Sequence, residues 1–226
     1  MRNSERWAAG SGIGFVLAAA LGFLIVPDPP SVDEGSEFIL NFFASNDSDL
    51  MWQGFFYGLA SVFLLWFAGT LAGALRRAEG DQAGRLPAII VASAASATAL
   101  FLLGITTWGA IASGVEVMDQ GVAYGLYQLG NYAFVITDFP AAAFVWAVAL
   151  GIVRTAFLPA SVAWVGGIVG LLLLVNAGGR MLADEPAFAA GGTAGTIIFM
   201  LFIVWVLVAS IFLVQRVPPG RRMPES

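Results

Sequence analysis

The amino-acid sequence predicts an all-α fold: a polytopic transmembrane bundle of six helices, both termini cytoplasmic, with a short interfacial helix after the first span. Three observations predict it. Hydrophobic residues make up 59% of the 226-residue chain and charged residues 11%, with a mean hydropathy of +0.85; soluble domains carry roughly 45–50% apolar and about 25% charged residues. Apolar runs that approach or exceed the roughly 18 to 20 residues needed to cross about 30 Å of hydrocarbon fall at about 7–26, 52–75, 87–112, 130–153, 158–179 and 192–214, so that 1–226 reads as a single integral membrane domain. Six crossings return both ends to one side, where Arg2, Arg6, Arg76, Arg77, Arg85, Arg154, Arg216, Arg221 and Arg222 then gather, leaving only Arg180 opposite. The positive-inside rule makes that side cytoplasmic, and the other face is acidic.

Taken in order, the first span follows Arg2 and Arg6 as a secretory signal would. Its apolar run is long, however, and "FLIVPDPP" holds no small-x-small cleavage site, so an uncleaved helix is expected. Pro27, Pro29 and Pro30 stop it. Over about 33–45, Phe38, Ile39, Phe42 and Phe43 fall on one helical face, the pattern of a helix lying in the membrane interface. Asp47, Ser48 or Asp49 is expected to cap the second span; the rival use of Asn46, Asp47 and Asp49 as calcium ligands lacks the Gly and distal Glu of an EF-hand loop.

In the third span "ASAASATA", residues 92–99, is thin on several sides and predicts a central position. Its hydroxyls Ser93, Ser96 and Thr98 either bond local backbone or line a pore. Lipid removes the hydrophobic drive between helices, so small residues that let backbones approach must hold them together. Gly10, Gly14, Ala18 and Gly22, Gly54/Gly58, Gly69/Gly73 and Gly166/Gly170 are spaced for that role.

The fourth span, "NYAFVITDFPAAAFVWAVAL", carries Asp138 two residues before Pro140. A carboxylate at mid-span costs roughly 2.5–3.5 kcal/mol on insertion scales and demands a partner, water or a proton. At about 1.5 Å per residue, Asp138 stands roughly 24 Å above the boundary at Arg154, and on the antiparallel fifth span Asn176 and Arg180 stand about 27 and 33 Å above it. Gln53, Tyr57, Thr106, Thr107, Thr193 and Thr196 share that depth. Two readings of the cluster of Asp138, Asn176, Arg180, Thr106, Thr107, Thr196 and Tyr57 stay open. One is a structural Asp138–Arg180 ion pair completed by Asn176. The other is an outward-opening substrate or cation site, with Asp138 as ligand or proton carrier and Arg180 binding an anion.

The chain has no Cys, no His and no Lys. Thiolate and disulfide chemistry, His ligation of metal or haem, and Lys Schiff bases are thereby excluded within it. No nucleophile–base or paired-carboxylate constellation appears, and "GSGIG" has neither a preceding strand nor a P-loop Lys, so no enzyme, cofactor or metal is expected. The expected partners are membrane lipids, with another membrane protein or a second copy of the chain as further candidates, and no nucleic acid. The tail "RVPPGRRMPES" carries three arginines suited to anionic headgroups. The leading functional expectation is a non-catalytic membrane component acting through protein or lipid contacts; the alternative is a small-solute or ion transporter or channel.

Two stretches, "WFAGTLAGALRRAEG" (66–80) and "RTAFLPASVAWVGGIVGLLLLV" (154–175), resemble signatures of a large uncharacterised family of actinobacterial polytopic membrane proteins, a domain of unknown function, over most of the chain. The basic residue that usually follows the Leu-Pro is replaced here by Ala160-Ser161. The resemblance implies the six-span fold and a bacterial plasma membrane, and no substrate or catalytic residue.

Overall fold

Seven α-helices and one 3₁₀ turn, with no strand, make up the described part of the chain: α1 (Arg2–Ile25), α2 (Ser36–Ser45), α3 (Asp47–Glu79), α4 (Leu86–Gly114), α5 (Gln120–Thr155), α6 (Ala160–Leu182), the turn Pro186–Phe188 and α7 (Thr193–Arg216). The computed structural model describes residues 2–30, 34–80, 84–183, 186–188 and 192–216. Asp33, Asp81, Asp184, Glu185 and the basic tail beyond Arg216 lie outside the described residues. All the helices except α2 are long and apolar enough to cross a membrane.

The starts of α5 and α3 differ from the expected ones, and both differences have a local cause. α5 begins ten residues before the apolar run at 130 because Asp119 caps it, its Oδ1 accepting from the N–H groups of Gly121 at 2.8 Å and Val122 at 3.4 Å. Gln120, Gln128 and Asn131 dilute the hydropathy of that first stretch without interrupting the helix. At α3 the cap position belongs to Asn46, with Asp47 and Asp49 inside the first turn. The Asn46 amide turns back to donate to Phe42 O at 2.8 Å, closing α2 and leaving the two carboxylates to favour the α3 macrodipole.

The six long helices form a closed ring in which each packs on its neighbours in sequence and α7 returns to α1. Ser210 Oγ donates to Ala9 O at 2.6 Å and an Arg216 nitrogen to Ala156 O at 2.9 Å at one end, while Gln53 Nε2 donates to Gly22 O at 3.1 Å near the other. The first helix therefore starts, and the last finishes, at the same end of the bundle. The expectation that the third span sits centrally fails. α4 is a wall of the ring, and only 33% of its most apolar stretch is buried, the smallest share of the six. Ala92, Ala95, Ser96 and Ala99 face outward. Their small size reflects no crowding.

Glycines act here mainly as sockets for aromatic rings of the next helix. Phe63 lies against Gly14, Tyr57 against Gly22, Phe134 against Gly104, Trp205 against Gly166 and Trp146 against Gly170. Gly10, Gly58 and Gly69, expected to mediate close approach, have no neighbour within 4 Å. Gly12 lies in a tight seam among three helices, where an added Cβ would lie 2.7 Å from Ser210 Cβ and 2.9 Å from Phe67 Cδ2, both on fully buried residues. Gly12→Ala must push α1 away from α3 and α7, so a loss of about 1–3 kcal/mol is expected. Thermal melts in mild detergent check this, with Gly10→Ala as the silent control.

Two packed cores sit at different levels of the ring. The larger gathers side chains such as Phe67, Leu71, Ile90, Phe144, Val148 and Trp205 toward the end that holds both helix termini. The smaller, at the opposite end, is built on Phe43, Trp108 and Tyr127. Phe43 meets Trp108 edge-on at 6.0 Å and Tyr127 at 5.8 Å, and the latter two stack at 5.7 Å. Such pairs each contribute about 0.5–1.5 kcal/mol beyond burial. They fix α2 on the bundle through Ile39 and Phe43, while Phe38 stays exposed.

Candidate functional site

Between the two cores the ring is not filled. A partly open cavity of about 220 Å³ is walled by all six long helices and reaches the Pro27–Pro29 segment and Phe188 at one end. On α3 its walls run from Gln53 to Leu64, eleven residues or roughly 16 Å of helix. Aromatic rings dominate: Tyr57 meets Phe101 edge-on at 5.2 Å, Phe101 packs on Phe134 at 5.5 Å and on Phe199 at 6.5 Å, and Phe15 meets Phe202 at 6.0 Å.

Asp138 enters this cavity from α5. Pro140 lies in the interior of the same helix and has no N–H to give to the Ile136 carbonyl, so the backbone beside the carboxylate is locally short of one bond. Asn176 of α6 donates from Nδ2 to Asp138 Oδ2 at 2.7 Å. The other end of that amide, Asn176 Oδ1, is buried and has no hydrogen-bond partner, as is true of Thr98 Oγ1 on α4. Both residues line the cavity and are more than nine-tenths buried, at 8% and 6% exposure. Trp108, another lining residue, has Nε1 unpartnered as well, and that atom lies against Gly130 of α5, where a Cβ would sit 2.7 Å away. Unpaired buried polar atoms cost about 1–3 kcal/mol each, so Asn176 Oδ1 and Thr98 Oγ1 mark the places where this cavity is incomplete.

The expected cluster is partly assembled. Asp138, Asn176, Tyr57 and Thr196 line the one cavity, as does Gln53. Thr106 points to the outside of the ring and donates to Leu102 O, and Thr107, although buried, donates to Gly104 O; neither reaches the cavity. Thr193 is exposed and lies outside it. Arg180 is partly exposed about 6 Å further along α6 than Asn176, forms no wall of the cavity, and among the described residues no ion pair joins it to Asp138. The predicted Asp138–Arg180 bridge is thus replaced by an Asp138–Asn176 hydrogen bond, because the carboxylate turns into the ring at the level of the amide. Of the third-span hydroxyls, Ser93 bonds Ile89 O within its own helix, whereas Thr98 does not. Among the described residues no three His, Cys, Asp or Glu side chains gather as a metal site.

The segment after α1 is held by Tyr127, whose Oη donates to Pro30 O at 2.5 Å across 97 residues of sequence. Tyr127→Phe leaves that carbonyl without its donor, and a loss of about 1 kcal/mol is expected. Faster proteolytic nicking of the α1–α2 connection is the measurement that checks it. Fold and cavity together define an all-helical protein with six membrane-length apolar helices around an internal chamber. No protein-family model, curated protein or solved structure matches the chain.

Proposed function

We propose that the protein is a bacterial plasma-membrane solute-binding protein, a transporter or channel, that takes a small molecule into the ring against Asp138. One observation carries this reading: a half-buried carboxylate and an unpartnered amide oxygen share a partly open internal cavity, whose mouth we place at the Pro27–Pro29 end. Structural polar groups in membrane helices normally satisfy one another, and here one acceptor is left over. Arg76, Arg77, Arg85, Arg154 and Arg216 lie at the end opposite the mouth. By the positive-inside rule that end, with both termini, is cytoplasmic, the mouth faces outward, and α2 lies at the outer interface.

Reconstitution into liposomes with a panel of small solutes and ions tests the proposal. Saturable uptake by the wild type and its loss in Asp138→Asn are expected; indistinguishable protein-containing and empty liposomes across the panel would overturn it. Orientation is separately measurable, because a chain without cysteine gives single-Cys variants a clean background. Val117→Cys should react with an impermeant maleimide from outside intact cells and Gly84→Cys only after lysis. The reverse pattern refutes the orientation.

A second reading, a non-catalytic component acting through protein or lipid contacts, draws on the exposed aromatics Trp52, Phe55 and Trp66 outside the ring. Acyl chains solvate such a surface equally well, so it favours no particular partner.

A further inference from the structure

We infer that the occupant of the cavity is a compact lipophilic monocation, an aryl- or alkyl-substituted ammonium, held with its charged nitrogen at Asp138 and Asn176 Oδ1. The inference rests on the solute-binding reading and adds the class of solute.

Of the three unpartnered polar atoms on the described cavity-lining residues, Asn176 Oδ1 and Thr98 Oγ1 can accept, and the third, the donor Trp108 Nε1, lies against Gly130. Asp138 is ionisable to a carboxylate that only accepts, Asn176 directs an amide N–H to Asp138 and offers Oδ1, and Thr98 Oγ1 supplies a hydroxyl. An ammonium bears several donors and matches such a set. An anion does not: no arginine is among the described residues lining the cavity, and the chain has neither Lys nor His. A neutral solute would leave Asp138 to take up a proton, whereas an ammonium compensates the ionised carboxylate directly.

The walls narrow the class further. Inorganic divalent cations take about six to eight oxygen ligands, which apolar, ring-lined walls do not provide. Aromatic faces instead attract organic cations through their negative π-surfaces, and Tyr57, Phe101, Phe134 and Phe199 form a continuous set of rings around the chamber. A volume of about 220 Å³ lies below the roughly 300–1,000 Å³ of drug-sized pockets, which sets a single ring or short chain as the limit. Asp28 lines the mouth, and Asp47, Asp49, Glu116 and Asp119 lie at the same end of the bundle; their field concentrates cations where the cavity opens.

Isothermal titration of the purified full-length protein in mild detergent with three probes of like size tests the inference: 2-phenylethylammonium, 2-phenylethanol and phenylacetate. The ammonium should bind at least tenfold more tightly than the alcohol, and phenylacetate should bind least. Asp138→Asn should bring the ammonium down to the level of the alcohol, and Ala97→Phe, which places a ring in the chamber, should abolish saturable binding of both. The comparison of probes on the wild type needs no variant to fold. Equal binding of ammonium and alcohol, both lost in Ala97→Phe, would overturn the cation inference while leaving the solute cavity standing; tightest binding of phenylacetate would do the same. Absence of saturable binding by every probe would overturn the cation inference, and liposome uptake of other solutes then decides the wider reading.

Discussion

Asn176→Leu is expected to destabilise the folded bundle by roughly 1.5–3 kcal/mol, the range for hydrogen bonds to charged groups. The Asn176 amide donates to Asp138 Oδ2 at 2.7 Å, joining α6 to α5 in the cavity wall. Leucine has a similar bulk and cannot donate, so the loss falls on the carboxylate and not on packing. Asp138→Asn keeps an oxygen that can accept from Asn176 and should lose less. Removing both polar groups together, as Asp138→Leu with Asn176→Leu, should recover much of the single-variant loss, since the uncompensated group is then gone. Unfolding in mild detergent across this double-mutant cycle gives the coupling directly. A stability for Asn176→Leu equal to wild type would mean that the pair contributes nothing to the fold.

Ala97→Phe should have the opposite profile, abolishing solute binding while holding or raising stability. Ala97 is buried on α4 and lines the cavity, so a larger side chain there enters unfilled space instead of a packed core. Filling such space commonly raises stability by about 0.5–2 kcal/mol, and a hundredfold loss of affinity corresponds to about 2.8 kcal/mol. Melting curves and titrations on one preparation separate the two effects. Unchanged affinity with a phenyl ring at position 97 would place the solute elsewhere.

How much of this was legible in the sequence follows from what each signal measures. Helix number and kind were written in the apolar runs, because crossing hydrocarbon requires length and leaves little freedom. The start of α5 was not, since a hydropathy pattern cannot see that Asp119 provides the first turn with acceptors. Depth was readable for Asp138, Asn176, Tyr57 and Thr196, as rise per residue is fixed. Direction was not: Thr106 and Thr107 share the depth of the cluster but face the outer surface and the α5 backbone respectively. Arg180 was the obvious counter-charge by sequence spacing, yet the carboxylate meets the amide one turn below. Thr98 was singled out with Ser93 and Ser96, but only its lack of a backbone acceptor, a three-dimensional fact, distinguishes it. The cavity itself had no sequence signal, because an unfilled volume is a property of six helices at once.

The closed ring carries a consequence for the order of biogenesis. Thr196, Phe199 and Phe202, which complete the chamber, all belong to α7, the last of the described helices in chain order, and the seam it closes is the one fastened by Ser210 on Ala9 and by the Gly12 socket. Without α7 the chamber lacks the wall that those three side chains supply. A nascent chain halted before residue 193 thus has an unfinished wall, and the chamber is complete only once α7 has been made.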